Sequence, residues 1–160
     1  MKQLWAPWRK RYIEQGTPGG CIFCDKAKER ADRKNHIVNR TATCFSMLNL
    51  FPYNGGHLMV APFRHVADLD GLEDRELAGL IALIRDSISL LKRRLRPDGF
   101  NVGINLGLVA GAGVADHVHV HLVPRWSGDT NFMPVTAGTK VIPQALDAMY
   151  EVLTRGRVQD

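Results

Sequence analysis

The sequence predicts an α+β protein, a largely antiparallel sheet crossed by one long helix, with a second helix near the C-terminus. Three observations lead there. Leu77, Leu80, Ile81, Ile84, Ile88, Leu91 and Leu95 repeat at helical spacing and form one apolar stripe. Short apolar stretches separated by turn residues read as hairpin-connected strands. Finally, His117-Val118-His119-Val120-His121-Leu122-Val123-Pro124 alternates histidine with apolar residues. On a strand this sends the three imidazoles to one face and Val118, Val120 and Leu122 to the other. One long helix among such strands fits an α+β layer architecture.

In chain order, Leu4 to Ile13 is a short amphipathic segment, with Pro7 placed as at a helix start and Trp5, Trp8, Tyr12 and Ile13 at helical spacing. Gly16-Thr17-Pro18-Gly19-Gly20 is a turn or loop. Cys21-Ile22-Phe23-Cys24 follows, then a charged stretch to Arg33 that reads as a helix with an exposed face. From Asn35 the chain is extended: a short strand near Ile37-Val38, a turn at Asn39-Arg40, then a strand from Thr43 to Leu50. In that strand Phe45, Met47 and Asn49 share a face. Phe51 to Gly56 turns into a strand from His57 to Ala61, completing a hairpin. Asp70-Gly71-Leu72-Glu73 fits a capping box, with Asp70 as N-cap and Glu73 reaching back. The long helix then runs to about Leu95, ended by Pro97 and Gly99. Phe100 to Leu106 alternates as a strand, and the glycine-rich Gly107 to Asp116 is a loop ahead of the histidine strand. Trp126 to Lys140 is polar and irregular, and Val141-Ile142-Pro143 leads into a last helix, about Gln144 to Arg155.

A chain of 160 residues is long enough for one core and short for two. No run approaches the roughly 20 apolar residues of a membrane span, and Met1 to Trp8 lacks a signal-peptide core, so a cytoplasmic location is expected. Three cysteines, an odd number, argue against a disulfide framework, and Cys44 reads as a buried thiol. The net charge of +5 gathers at Arg9-Lys10-Arg11 and at Lys92-Arg93-Arg94-Leu95-Arg96. The second cluster ends the long helix, where cations favour the macrodipole. It lacks the interleaved aromatics that stack on bases, which argues against nucleic acid as a partner.

Three same-face imidazoles point to chemistry on a small anion. A nucleophilic histidine needs one bare ring nitrogen facing the phosphorus and the other oriented by a hydrogen bond. The central His119 is best placed to attack an α-phosphate, flanked by His117 and by His121 as donor to the phosphate or leaving group. Charge spread over phosphate oxygens calls for preorganised donors. The Gly107–Gly113 loop, with Gly111 and Gly113, offers backbone N–H groups, and Asn49 and Asn105 offer neutral side-chain groups. Cys21 and Cys24 have the spacing of half a tetrahedral zinc site, and His36, His57 and His65 are available outside the triad.

The His117–Val123 stretch matches the signature of the histidine triad (HIT) family, and Gly56-His57-Leu58-Met59-Val60-Ala61-Pro62-Phe63-Arg64-His65 resembles that family's Gly-His-strand-Pro-x-x-His segment. The resemblance runs from about Cys21 to Arg125, with N- and C-terminal extensions, and implies a single HIT-like domain over residues 1–160. Trp5-Ala6-Pro7-Trp8-Arg9 and Pro124 to Phe132 resemble a bacterial branch related to diadenosine tetraphosphate phosphorylases. The family likeness implies a homodimer with sheets joined edge to edge, a ribose contact at Asn49, and nucleotidyl transfer through His119. It also implies a structural zinc (Zn) held by Cys21, Cys24, His65 and His117, with His57 near His117, orienting it if no metal is bound. The expected activity is hydrolysis or phosphorolysis of a dinucleoside polyphosphate. Adenosine phosphoramidase activity is the alternative within the enzyme class, and a non-catalytic nucleotide- or zinc-binding interaction protein the alternative outside it.

Overall fold

The computed structural model describes residues 20–129 and 145–156. The readings placed on Leu4 to Ile13, on Thr17 and Pro18, on Thr130 to Lys140, on Val141 to Pro143 and on Gln144 lie outside them. Two short helices open the described chain, α1 (Ile22–Lys28) and α2 (Asp32–Asn35), where one helical stretch was expected. Strands β1 (Ile37–Arg40), β2 (Cys44–Leu48) and β3 (Leu58–Pro62) follow as an antiparallel meander. Helix α3 (Asp74–Leu95) leads to β4 (Gly99–Ile104), a 3-10 turn over Leu108–Ala110, β5 (Val120–Arg125) and α4 (Leu146–Thr154). The five strands form one antiparallel sheet in the order β1-β2-β3-β5-β4. No helix among the described residues is long and apolar enough to cross a membrane.

The period-2 patterns of β2, β3 and β5 divide their side chains between two faces. Cys44, Leu48, Leu58, Val60, Val118, Val120 and Leu122 join α3 and α4 in the larger core. Phe45, Met47, Met59 and Ala61 meet Phe23 of α1 and Ile37 in a smaller one on the other face. The histidines project to this second face. The helical stripe needs one correction. Ile81 is 64% exposed, while Leu83 and Leu90 are buried with Leu80 and Leu91, so the buried line is rotated slightly from the expected one.

The start of α3 also differs from expectation. Glu73, not Asp70, is the N-cap, and the box is closed by Glu76, whose carboxylate accepts from the Glu73 N–H at 2.9 Å. Residues 69–72 instead make a turn, Leu72 N–H to Leu69 O at 3.2 Å, that buries Leu72 in the core. Glu76 is held in addition by Arg64, through Nε at 3.0 Å and Nη2 at 2.5 Å. Arg64 and the Glu73 N–H hold the Glu76 carboxyl at about 2, well below its ordinary 4.5. A depressed carboxyl stabilises the fold above its unfolded value and loses that contribution as pH falls from about 4.5 towards 2. Arg64 is half-exposed, which screens the pair. Between about pH 5 and pH 2.5 the wild type is therefore expected to lose about 1–2 kcal/mol more stability than Glu76→Gln. Urea unfolding of both proteins across that range checks it, and parallel pH curves would reject it.

Candidate active site

His117, in a bend, and His119 lie just before β5, and His121 lies inside it. Each ring's hydrogen bonds fix which nitrogen carries the proton. His119 Nδ1 lies 2.8 Å from the His117 carbonyl oxygen. A carbonyl only accepts, so Nδ1 is the protonated nitrogen and Nε2 keeps its lone pair. His117 Nε2 lies 2.9 Å from the Pro62 carbonyl oxygen, so by the same logic its bare nitrogen is Nδ1. Burial holds both imidazoles below the usual histidine value, which favours the neutral rings. Phe23 packs on both, with ring centroids 5.1 Å from His117 and 4.8 Å from His119.

His57 stands beside His121, not beside His117. The β3–β5 register pairs Leu58 with Leu122 and Val60 with Val120. Continued along the chain, it sets His57 level with Val123, roughly 20 Å along the chain from His117; before β5 the pairing changes, and the Val118 N–H donates to the Val66 carbonyl at 2.7 Å. That bond brings His65, just past β3, to 5.2 Å from His117 between ring centroids. His57 Nε2 is 2.9 Å from His121 Nδ1, and the Tyr53 backbone N–H donates to His57 Nδ1 at 3.1 Å. His57 Nδ1 is thus an acceptor, its Nε2–H donates to His121 Nδ1, and the proton of neutral His121 sits on Nε2. His57 is fully buried.

The Cys-x-x-Cys pair sits at the start of α1, with Cys21 as its N-cap, so both thiols lie at one end of the helix. Cys21 Sγ is 3.2 Å and Cys24 Sγ 3.6 Å from His117 Nδ1, and Cys24 Sγ is 3.5 Å from His65 Nδ1. The four ligand atoms lie within 4.8 Å of one another. Zinc bonds of about 2.3 Å to sulfur and 2.0 Å to nitrogen, at tetrahedral angles, space such ligands about 3.5 Å apart. The donor set, the spacing and the bare Nδ1 of His117 fit a zinc ion. Burial, then the neighbouring Cys21 thiol, push the free Cys24 thiol up to about 11, so it becomes a ligand only by yielding its proton to the metal.

The expected substrate groups are placed more loosely. Asn49 Oδ1 accepts from the Phe51 N–H at 2.9 Å, and its Nδ2 lies 3.5 Å from His57 Nδ1. Asn105 Nδ2 donates to the Gly111 carbonyl at 3.5 Å, which ties it to the glycine loop. The Gly111 N–H bonds to Leu108 O at 2.9 Å, closing the 3-10 turn, so it does not point outward as a phosphate donor. Gly107 and Gly111 both have positive φ, which explains glycine there. Gly113 lines a cavity of about 570 Å³ together with Cys21, His65 and Asp116.

With these distances in place, comparison with known proteins is informative. The profile of the HIT domain matches residues 30–128. The chain belongs to the HIT family. An AP-4-A phosphorylase of Mycobacterium tuberculosis is 42% identical over 154 aligned residues, covering 91% of this chain and 79% of that protein. An asymmetrical bis(5'-nucleosyl)-tetraphosphatase of Schizosaccharomyces pombe is 34% identical over 95 residues, covering 59% of this chain and 52% of that protein. Among solved structures, a zinc-bound histidine triad family protein from Mycobacterium smegmatis superposes with a TM-score of 0.68 at 24% identity, covering 84% of this chain and 91% of that one.

In this HIT protein several site neighbours escaped the sequence reading. Phe23 lies inside the Cys-x-x-Cys pair, and its position there was the available signal. Pro62 contributes a carbonyl, which no side-chain pattern announces. Arg125 is paired with Asp129 through Nε at 2.6 Å and Nη2 at 2.9 Å, with Nη1 on Asn101 at 2.7 Å. Asp129 also accepts from Asn54 Nδ2 at 2.8 Å, and Asn54 reaches the Pro124 carbonyl at 3.0 Å. Arg125 and Asp129 thus clamp the end of β5 to the loop that carries Tyr53.

Proposed function

We propose that this HIT protein cleaves dinucleoside polyphosphates such as diadenosine tetraphosphate through a nucleotidyl-His119 intermediate. The observation that carries the reading is the His119 Nδ1 to His117 carbonyl bond, which leaves Nε2 as a bare, oriented nitrogen. The names of the phosphorylase and tetraphosphatase relatives support the substrate class. His119 Nε2 bonds to the α-phosphorus, and the bond to the remaining polyphosphate breaks with its electron pair. His121 Nε2–H donates a hydrogen bond to the phosphate or the departing oxygen. Asn49 faces the ribose, while Asn105 supports the loop through Gly111. An acceptor then takes the nucleotide from His119.

Cys21, Cys24, His65 and His117 would hold a zinc ion, which would supply rigidity, since four protein ligands leave no open position for water. His117 would meet the metal through its bare Nδ1, while its carbonyl accepts from His119 Nδ1, so the two sites share one residue. We read the whole chain as one domain, working in the cytoplasm, where three free thiols persist. It pairs as a homodimer through β4, one of the two outer strands of the sheet among the described residues, where Val102 is 48% and nearby Leu106 43% exposed. Sedimentation at micromolar concentration checks the last point.

The phosphorylase relative, matched over most of both chains, makes phosphate the expected acceptor. Diadenosine tetraphosphate should yield ADP plus ATP, faster as phosphate rises. Chromatography of products at zero and millimolar phosphate is the test. AMP plus ATP at both, at one rate, would reject phosphorolysis, and no cleavage at all would reject the function.

A further inference from the structure

The four residues that fit a zinc ion are not held equally. His117 is fully buried, and its Nε2–H donates to the Pro62 carbonyl at 2.9 Å. Cys21 and Cys24 are carried by the start of α1, whose Phe23 is buried against His117 and His119. His65 stands past the end of β3 with 45% of its side chain exposed. Its Nδ1 faces the cluster, 3.5 Å from Cys24 Sγ. Its Nε2 faces away from the thiols, 3.7 Å from Asp116 Oδ2. We propose that Asp116 is a positioning residue for the metal, an outer carboxylate that accepts from the His65 Nε2–H and holds that ring as a ligand. The inference rests on the zinc site proposed above.

The argument turns on the two nitrogens of one imidazole. A neutral ring that offers its Nδ1 lone pair to a metal carries its proton on Nε2. Giving up that lone pair draws electron density from the ring, so the N–H becomes a stronger donor, and a carboxylate makes with it a charge-assisted hydrogen bond. At 3.7 Å the contact is that of an ion pair, and both side chains are exposed enough for a small turn to bring them into hydrogen-bond range. Asp116 has no other ion-pair partner among the described residues. The other acid near the thiols, Asp25, lies against Gly20 instead.

The place of Asp116 in the chain gives the contact a second consequence. It directly precedes His117, in the turn that ends the glycine-rich loop. Two adjacent residues therefore serve the two histidine ligands, His117 by its own ring and Asp116 through His65. Asp116, His65, Cys21 and Gly113 also line one cavity of about 570 Å³. The loop ahead of the nucleophile is thus tied to the segment after β3 by a side-chain contact as well as by the Val118 N–H bond to the Val66 carbonyl.

The test measures the metal rather than turnover. Zinc affinity of the full chain is read by competition with a chromophoric chelator in the wild type, Asp116→Asn, Asp116→Ala and Asp116→Glu. Asparagine and alanine should weaken zinc binding by at least about fivefold, somewhat below the usual effect of losing an outer partner because Asp116 is 74% exposed. Glutamate, which keeps the carboxylate, should stay within about threefold of the wild type. Metal-free wild type and metal-free Asp116→Asn should melt together, since the role runs through the ligand. Proton spectra of the cobalt-loaded chain supply the signature. In the wild type both ligand imidazole N–H signals should appear. In Asp116→Asn the His65 signal should be lost to exchange with water, while that of His117, covered by Pro62, persists. An Asp116→Asn loss below about fivefold, a His65 N–H signal unchanged in that variant, or a metal-free variant destabilised as much as the loaded one would overturn the proposal. A wild type that takes up neither zinc nor cobalt would instead reject the metal site itself, and the role of Asp116 with it.

Discussion

His119→Ala is expected to keep nucleotide binding and to lose turnover by about three decades or more, the scale seen when a covalent catalyst is removed. The nucleophile is the one group whose loss leaves no alternative route. Of its neighbours, His117 has its bare nitrogen turned towards the thiols, and His121 carries its proton on Nε2. His119 is also a packed side chain, 4% exposed and resting on Phe23. Deleting it opens a cavity that costs about 1–3 kcal/mol. His119→Gln, which keeps more of the volume, separates this loss from the chemical one. Both variants should bind a non-cleavable analogue in calorimetry with Kd changed by less than about tenfold, which corresponds to 1.4 kcal/mol. Mass spectrometry of a wild-type reaction quenched in acid-free denaturant should find one nucleotide on His119. Either variant turning over near the wild-type rate would sink the assignment.

The second large effect belongs to the metal. Protein prepared without a histidine tag is expected to carry about one zinc per chain. Stabilisation by a bound ion follows its free concentration over Kd, about 4 kcal/mol at a thousandfold excess. Cys21→Ser should therefore remove most of the zinc and lower the melting temperature, and a strong chelator should do the same to the wild type. Because each thiol must yield its proton, zinc should be lost on acidification well before the carboxylates titrate. Activity should fall about 10- to 100-fold in Cys21→Ser, less than in His119→Ala, because the Pro62 carbonyl still orients His117. Metal analysis beside calorimetry decides the matter: a chain that holds no zinc and melts unchanged in chelator rejects the site.

The alternating histidine strand and the long helix were legible because each rests on a local period. His119 as the central group followed from alternation alone. What escaped was whatever depends on register between strands distant in sequence. His57 and His117 both face the same side of the sheet, and only the pairing of Leu58 with Leu122 shows that they stand at opposite ends of it. Backbone groups escaped for a different reason. The carbonyls of Pro62 and His117 and the N–H of Tyr53 set three tautomers, and every residue type carries these groups. The helix starts at Glu73, not Asp70, where Glu76 closes the box and Arg64, twelve residues earlier and across an irregular loop, holds the Glu76 carboxylate. The pairing of Arg125 with Asn101 likewise shows only in the fold, since Asn101 lies on the neighbouring strand β4.

His117 answers to three partners at once: its Nε2–H to Pro62, its Nδ1 to the thiols, and its carbonyl to the nucleophile. Cys21, Cys24 and His65 have fewer such duties: beyond the metal cluster, His65 Nε2 lies 3.7 Å from Asp116 Oδ2 and Cys21 packs against the smaller core. Over evolutionary time such a residue is pleiotropic, and its neighbours are less so. A lineage that abandons zinc can drift at Cys21, Cys24 and His65 together, one substitution making the next neutral, while His117 remains under the older constraint of holding His119. Descendants without the metal should then keep an unbroken histidine strand and show their history only in the vanished cysteine pair.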